Sequence, residues 1–202
     1  MKSSLIPRKV RMYKTQIERY HPVNEQEKKD KQLMLAFIEK HDDVLLRDNL
    51  AAHLTSSAIV VNETLDKVLF AHHNIYDAWG WVGGHNDGNP DLLAVALKEA
   101  KEETGVTRIE PYTDAILGLD VIQVQNHRKN GAYIPDHLHL NVTFLLVADE
   151  QDKPVHKPDE NAAVRWFDID TVLNHVSEKR MHAIYKKLFS KVKGLKENQT
   201  GS

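Results

Sequence analysis

The sequence predicts an α/β protein with a mixed sheet, and its 202 residues show three patterns that support this prediction. Short runs rich in β-branched residues occur both before and after a central amphipathic helix, which favours a mixed sheet. A helical segment precedes these runs, and a second amphipathic helix follows them. We therefore predict an N-terminal helical extension over residues 1–54 and an α/β domain over residues 55–202.

The N-terminal extension is predicted to contain a helix over residues 24–40. Asn24 and Glu27 have the spacing of a capping pair, and apolar residues then recur at helical intervals. Asp42 or Asp43 is expected to cap a second, short helix that reaches Leu50. Residues 1–41 carry 10 basic and 5 acidic side chains, which we interpret as a solvated helical arm. This arm is expected to pack on the domain or on a second subunit, so a homodimer is an open prediction.

The α/β domain is predicted to begin with a hairpin, because two β-rich runs flank the turn-like segment 62–66. A short strand is expected to lead into Gly83-Gly84, and an amphipathic helix closes the chain. The predicted strands cover residues 57–62, 67–72, 79–82, 115–125, 137–147 and 163–167, and the last helix covers residues 177–193.

The central helix has recognisable start and stop signals. Asn89 is a good N-cap, Pro90 suits the first helical position, and Asp91 complements the positive end of the helix. Gly105 suits a left-handed stop. Leu93, Ala96, Leu97 and Ala100 form its predicted buried stripe.

Three glutamates on this helix are the main functional signal. Glu99, Glu102 and Glu103 are spaced so that their carboxylates share one face of the helix. Three adjacent carboxylates repel one another, and a hard divalent cation is the usual compensation. Mg²⁺ is the usual choice when the substrate carries phosphates, and Mn²⁺ is possible. An acidic, solvated helix face is the alternative interpretation.

The segment from Gly84 to Val106 resembles the Nudix box, G-x5-E-x7-R-E-U-x-E-E-x-G-U, in which U is a bulky aliphatic residue. The match holds at the three glutamates and at Gly84, Gly105 and Val106. Three positions depart from it: Pro90 replaces the first glutamate of the box, Lys98 replaces its arginine, and Ala100 is small. The half of the box that binds metal, E-x-x-E-E-x-G, is intact. The resemblance covers roughly residues 55–170 and implies the Nudix α/β/α sandwich.

The resemblance implies a Mg²⁺-dependent hydrolase that cleaves the pyrophosphate of a nucleoside diphosphate linked to another group. The implied metal ligands are Glu99, Glu102, Glu103 and the Gly84 carbonyl. The implied base is Glu102, Glu99 or the loop residue Glu160, and Lys98 takes over part of the role of the box arginine by pairing with a glutamate. Because lysine lacks the fork of arginine, it should orient that glutamate more loosely. The alternative is a Nudix-fold nucleotide-binding or sensor module with weakened catalysis, which Pro90 and Lys98 keep open.

Further candidates for substrate binding lie outside the helix. His137 and His139 alternate with apolar residues, so they share one face of their predicted strand with Asn141 and Thr143. This face could line a cleft or could simply be wet. His137 and His139 could also bind a second metal ion if a third ligand were present, and His85 is the nearest candidate in the sequence. Trp81 could stack on a base or pack in the core.

Composition excludes several functional classes. The formal net charge is −2, so no global basic field suggests nucleic-acid binding, and a small nucleotide is the expected partner. The chain has no cysteine, which excludes a catalytic thiolate, a disulfide framework and a zinc–thiolate site. No apolar run approaches the roughly 20 residues that cross a bilayer. The basic N-terminus lacks the apolar core of a signal peptide, so a cytoplasmic location is expected.

Overall fold

The computed structural model describes residues 8–75, 77–129 and 131–200, and within them a mixed sheet lies between helices on both faces. This arrangement confirms the predicted α/β/α sandwich with an N-terminal helical extension. The helices are α1 (Arg8–Arg19), α2 (Glu25–Ile38), α3 (Leu92–Thr104) and α4 (His182–Thr200). The strands are β1 (Ala52–Val61), β2 (Lys67–His73), β3 (Ala78–Gly80), β4 (Val82–His85), β5 (Ile109–Val124), β6 (His127–Lys129), β7 (Ala132–Ile134), β8 (His137–Ala148) and β9 (Asn161–Asp168).

The strand β1 organises the sheet, because it pairs with three other strands. It runs parallel to β8 and antiparallel to β2 and β4. The main order is β3-β2-β1-β8-β5, with β4 on β1 and β9 on β2, while β6 and β7 form a separate hairpin. All ten residues of β1 are buried, as expected for a central strand covered on both faces.

Apolar side chains form one core on each face of the sheet. The first core joins α3 and the N-terminal helices to the sheet through residues such as Ala96, Tyr13 and Met34. The second core joins α4 to the opposite face through residues such as Tyr185 and Leu188. Within the described residues, no helix is long and apolar enough to cross a bilayer.

The helix α2 covers the exposed edge of β5. Asp30 Oδ2 accepts a hydrogen bond of 2.9 Å from the backbone N–H of Val121, which occupies a donor that an edge strand would otherwise leave free. As predicted, Asn24 caps α2: its side chain accepts a hydrogen bond of 2.8 Å from the Glu27 N–H. The arm therefore packs on the domain of its own chain.

A buried ionic network fixes α2 to α4. Glu27 is fully buried, and its Oε1 lies 3.1 Å from Lys187 Nζ and 3.0 Å from Lys191 Nζ. Its Oε2 accepts hydrogen bonds from the Tyr20 hydroxyl at 2.6 Å and from the Val23 N–H at 3.0 Å. These partners lower the pKa of Glu27 although its burial opposes ionisation.

Two local predictions are wrong. Residues 41–50 form turns rather than a short helix. Here Asn49 donates to Asp43 Oδ1 at 2.8 Å and accepts from the N–H of Ala51 at 3.2 Å, so side chains replace helical backbone bonds. The last helix begins at His182, because residues 179–181 form a 3-10 turn.

We predict that Glu27→Ala will lower the free energy of unfolding by about 3–5 kcal/mol, the usual cost of removing one partner from a buried ion pair. The variant leaves two lysine ammonium groups close together without their shared carboxylate. Urea denaturation measures the effect. Glu25→Ala is the control, because that exposed residue lies 3.8 Å from Lys29 and should change stability by less than about 0.5 kcal/mol. Equal effects of the two substitutions would contradict the prediction.

Candidate active site

The helix α3 carries the three predicted glutamates, and its ends are well defined. Asp91 is the N-cap and accepts a hydrogen bond of 3.0 Å from the Ala94 N–H. The prediction of Asn89 as N-cap and Pro90 as first helical residue is therefore wrong, because Asn89 Oδ1 instead accepts from the Asp91 N–H at 3.0 Å. Gly105 ends the helix in the left-handed conformation, with φ of 67°, as predicted.

The glutamates face two different environments. Glu103 is buried, and its Oε1 accepts a hydrogen bond of 2.8 Å from the backbone N–H of Gly83. Glu99 packs directly on Gly84, where a Cβ would lie only 2.7 Å from Glu99 Cδ. Glu102 is more exposed and binds Lys98. The structure therefore brings the Gly83-Gly84 turn against the carboxylates, but their oxygens are not drawn into one tight group.

Lys98 bridges two of these carboxylates. Its Nζ lies 3.1 Å from Glu99 Oε1 and 3.0 Å from Glu102 Oε2. The bonds to Glu102 and Glu99 raise the pKa of Lys98, so the side chain is held as a cation. This is the pairing that the sequence predicted for a lysine at the arginine position of the box.

The loop before β9 brings Glu160 to the same region. The backbone carbonyl of Glu160 accepts a hydrogen bond of 3.0 Å from the Asn74 N–H at the end of β2. The side chain of the next residue, Asn161, donates to the backbone carbonyl of Glu103 at 3.0 Å. The Glu160 carboxylate also contacts Lys157 Nζ at 2.8 Å. Asn161 was not predicted as a positioning residue, and only its place beside Glu160 could have suggested that role.

Glu103 is the most perturbed acid of this cluster. Burial, together with the negative charges of Glu160 and Glu99, raises the pKa of Glu103 to about 8. Its Oε2 is buried and has no hydrogen-bond partner among the described residues. The nearest cationic candidate is His73, whose Nδ1 lies 3.8 Å away, but burial lowers the pKa of that imidazole. No pattern in the sequence singles out His73 beyond its place at the end of a strand.

These residues fit a divalent cation. A buried carboxylate oxygen without a hydrogen-bond partner destabilises the fold. The carboxylates of Glu160 and Glu99 add negative charge near Glu103. A hard cation with oxygen ligands would compensate both the unpaired oxygen and the mutual repulsion. Glu103, Glu99 and Glu102, with the carbonyl of Gly84, are the groups that would hold it.

A second cluster, of histidines, lies on the opposite face of the sheet. His53, His137 and His139 are drawn so close that one ligand nitrogen from each lies within 4.8 Å of the others. The ring of His85 lies 5.1 Å from that of His139, centroid to centroid. Burial and the neighbouring imidazoles lower the pKa of His139 to about 2. On this face of β8, His137, Asn141 and Thr143 are buried and His139 is partly buried, so the interpretation as a wet face is wrong.

His53 is the member of the histidine cluster that the sequence analysis did not identify. The predicted domain began after it, at Thr55, although β1 begins at Ala52. A usable signal existed, because His53, Thr55 and Ser57 lie two residues apart like the polar residues of β8, although the polar Ser56 interrupts the apolar set between them. In the parallel pairing, these residues lie beside His139, Asn141 and Thr143 in that order.

Trp81 packs on α4 through its ring, while its backbone carbonyl lies 2.7 Å from His73 Nε2, near Glu103. Its ring packs edge-on against Tyr185 of α4, with 5.4 Å between ring centroids. The backbone N–H of Trp81 donates a hydrogen bond of 3.2 Å to the Tyr185 hydroxyl. The geometry gives Trp81 a packing role, and stacking on a base stays a prediction.

Comparison with known proteins gives a family and a fold. A family model described as the NUDIX domain matches residues 52–192. The structure is similar to that of an Ap4A hydrolase from C. elegans, with a TM-score of 0.51 and 14% identity, covering 70% of this chain and 98% of that one. A NUDIX-family hydrolase from Clostridium perfringens is 18% identical, with a TM-score of 0.47, covering 67% of this chain and 95% of that one. No curated protein matches the sequence.

We predict that Glu103→Gln will stabilise the metal-free protein at high pH. Since the pKa of Glu103 rises from its ordinary value of 4.5 to about 8, its contribution to stability is full below pH 4.5 and is lost as the pH rises through 8. In excess chelator, the variant and the wild type should melt alike near pH 5, and the variant should melt higher near pH 9. The exposed Glu110→Gln is the control and should follow the wild type. A variant that melts lower than the wild type near pH 9 would contradict the prediction.

Proposed function

The chain belongs to the Nudix domain family, and from this membership we propose that it is a Mg²⁺-dependent hydrolase of nucleoside diphosphates linked to another group. Mn²⁺ is the alternative cation. The substrate is a small nucleotide whose pyrophosphate bond is cleaved. Family membership supports pyrophosphate hydrolysis in general, and the cation and the substrate class are the parts that we propose.

One observation carries this proposal. Glu103 is a buried carboxylate with an oxygen that lacks a hydrogen-bond partner among the described residues, and Glu99 and Glu160 add further negative charge. A chain that only needed a stable helix would place an amide or an apolar residue at position 103. The arrangement is costly without a cation, which supports a metal-binding function for it.

The proposed roles follow from exposure and contacts. Glu103, Glu99 and Glu102 bind the cation, with the carbonyl of Gly84 as a further ligand. When bound, a divalent cation neutralises charge on phosphoryl oxygens and favours an oriented, activated water. Lys98 keeps Glu99 and Glu102 in fixed positions through its two ion pairs.

Hydrolysis then requires an acceptor for one proton. A water molecule attacks phosphorus, the bridging P–O bond breaks, and the water proton passes to a carboxylate. Glu160 is our first candidate for this base, because it lies on a loop beside the cluster and is about 40% exposed, so it is accessible to solvent. Glu102 and Glu99 are the alternatives.

The substrate contacts are less defined than the metal ligands. We propose His85 as a contact, because it directly follows Gly84 and is only partly buried. The substrate-binding roles predicted for His137, His139 and Trp81 stay predictions.

We predict that Mg²⁺ at millimolar concentration will raise the melting temperature, because binding to the folded state alone stabilises it by mass action. The same cation should support hydrolysis of at least one compound in a panel of nucleotide sugars, ADP-ribose, dinucleoside polyphosphates, NADH, coenzyme A and oxidised dNTPs. Glu102→Gln should weaken both effects, whereas the control Glu110→Gln should weaken neither. Calorimetry that detects no Mg²⁺ binding to the wild type would refute the metal site. Nucleotide binding without turnover would instead favour the binding or sensor module.

We predict that Glu160→Gln will lower kcat by about 10²–10⁴-fold, the usual contribution of general base catalysis. KM should change little, because the amide keeps the size of the side chain and the loss acts on the transition state. The matched control is Asp159→Asn on the same loop, which should stay within about threefold of the wild type. Steady-state kinetics at saturating Mg²⁺ measure both. If Glu160→Gln also stays within about threefold, the base must be Glu99 or Glu102.

A further inference from the structure

The histidine cluster joins the ends of three neighbouring strands. His53 lies on β1, and it pairs across the parallel ladder with His139 of β8. His137 lies two residues earlier on β8, so its side chain shares the same face. His85, on β4, pairs with Thr55 and so faces the same way. The ring centroid of His53 lies 5.0 Å from each of the ring centroids of His85, His137 and His139.

Backbone carbonyls fix the orientation of two imidazoles. His53 Nδ1 lies 3.0 Å from the carbonyl oxygen of Asn49, and His137 Nδ1 lies 2.9 Å from that of Pro135. Because a carbonyl only accepts hydrogen bonds, each Nδ1 must carry a proton. In the neutral rings, each Nε2 therefore presents a lone pair. An Nδ1–H bonded to a carbonyl is the usual outer contact of a histidine that binds metal through Nε2.

The lone pair of His53 has no partner in the protein. Its side chain is 3% exposed, and its Nε2 is buried with no hydrogen bond among the described residues. A buried acceptor without a partner destabilises the fold, because it has lost its hydrogen bond to water and gained none in return. A hydrogen bond between His137 and His139 does not solve this, because their shared proton satisfies those two rings and leaves His53 Nε2 unpaired.

The spacing of the nitrogens suits a transition metal. Two nitrogens bound to a tetrahedral zinc at about 2.0–2.1 Å lie roughly 3.3 Å apart. His137 Nε2 and His139 Nε2 are 3.2 Å apart. The third ligand nitrogen lies within 4.8 Å of both, so a small rotation of one ring would bring it to the same centre.

We propose that His53, His137 and His139 bind one divalent transition-metal ion, with zinc as the best fit, at a site separate from the glutamates. Neutral imidazoles are good ligands for Zn²⁺ and its first-row neighbours, whereas Mg²⁺ prefers oxygen. His85 is the nearest residue able to supply a fourth ligand. The proposal does not depend on the proposed function, because the site lies on the other face of the sheet.

The ion would link the ends of β1 and β8. These ends are joined by parallel pairing and lie next to the hairpin β6–β7, where His127 comes within 6.4 Å of His137, centroid to centroid. If His85 also binds, the ion fixes the residue that directly follows Gly84. Metal at the histidines would then hold β4 in place while the glutamates on the other face bind their own cation.

The test is metal binding by the full-length protein. After chelation and dialysis, Zn²⁺ should bind with one-to-one stoichiometry in calorimetry with a competing chelator. Co²⁺ should give the strong visible absorption of a low-coordinate nitrogen site rather than the weak bands of an octahedral oxygen site. Long-range ¹H–¹⁵N spectra of the wild type should show Zn²⁺ coordination at Nε2 of His53 and His137 and retention of the proton at Nδ1.

Variants separate this site from the glutamates. His139→Gln should lower Zn²⁺ affinity by more than about 100-fold, since loss of an outer contact alone costs 10–100-fold. It should leave the Mg²⁺-induced rise in melting temperature in place. Glu103→Gln should do the reverse, and the exposed His156→Gln is the control for both metals.

Three results would overturn the proposal. The first is the absence of stoichiometric Zn²⁺ binding to the wild type. The second is equal Zn²⁺ affinity of the wild type and the folded His139→Gln variant. The third is loss of the Zn²⁺ signal in Glu103→Gln, which would assign the ion to the glutamates. If His139→Gln does not fold, the wild-type spectra decide, because imidazole and carboxylate ligation give different signals.

Discussion

The glutamate cluster depends on a close approach between β4 and β1 that only glycine permits. A Cβ at Gly83 would lie 2.6 Å from Ser57 Cα and 2.6 Å from the Ser56 carbonyl oxygen. A Cβ at Gly84 would lie 2.7 Å from Glu99 Cδ. Real Cβ atoms do not come so close to backbone, so any side chain at Gly83 would push β4 away from β1, whereas a Cβ at Gly84 would displace the side chain of Glu99. The N–H of Gly83 could then no longer reach Glu103.

Two glutamates, Glu27 and Glu103, are buried, and their charges have very different surroundings. Glu27 has two lysines, a tyrosine hydroxyl and a backbone N–H around it, so its charge is compensated by the chain itself. Glu103 has one backbone N–H and carboxylate neighbours. Glu27 therefore attaches the N-terminal arm, whereas Glu103 lacks such partners among the described residues, as expected for a group with a functional role.

The sequence predicted the elements well where local signals and burial agree. The alternating and apolar runs gave the strands, and Gly105 gave the end of α3, because left-handed backbone favours glycine. The N-cap was misplaced by two residues, since Asn89, Pro90 and Asp91 are all compatible with a helix start. The turns at residues 41–50 were missed because bonds from Asn49 decide them, and apolar periodicity does not report such bonds.

The two clusters were not equally predictable. Glu99, Glu102 and Glu103 lie within one turn of one helix, so their proximity follows from helical geometry alone. His53 and His139 are separated by most of the domain, and they meet only because β1 and β8 pair in parallel. Parallel pairing leaves no turn or hairpin signal in the sequence. A site that is assembled across such a ladder becomes visible only once the register of the strands is known.

The alternation of side chains along β4 directs neighbouring residues toward the two proposed metal sites. Gly84 contacts Glu99 on the face covered by α3, and the next residue, His85, faces the opposite side together with His53. Carboxylates on one face favour a hard cation, and neutral imidazoles on the other favour a softer one. At the two proposed sites, ligand type would therefore select different cations, and β4 carries a residue next to each site.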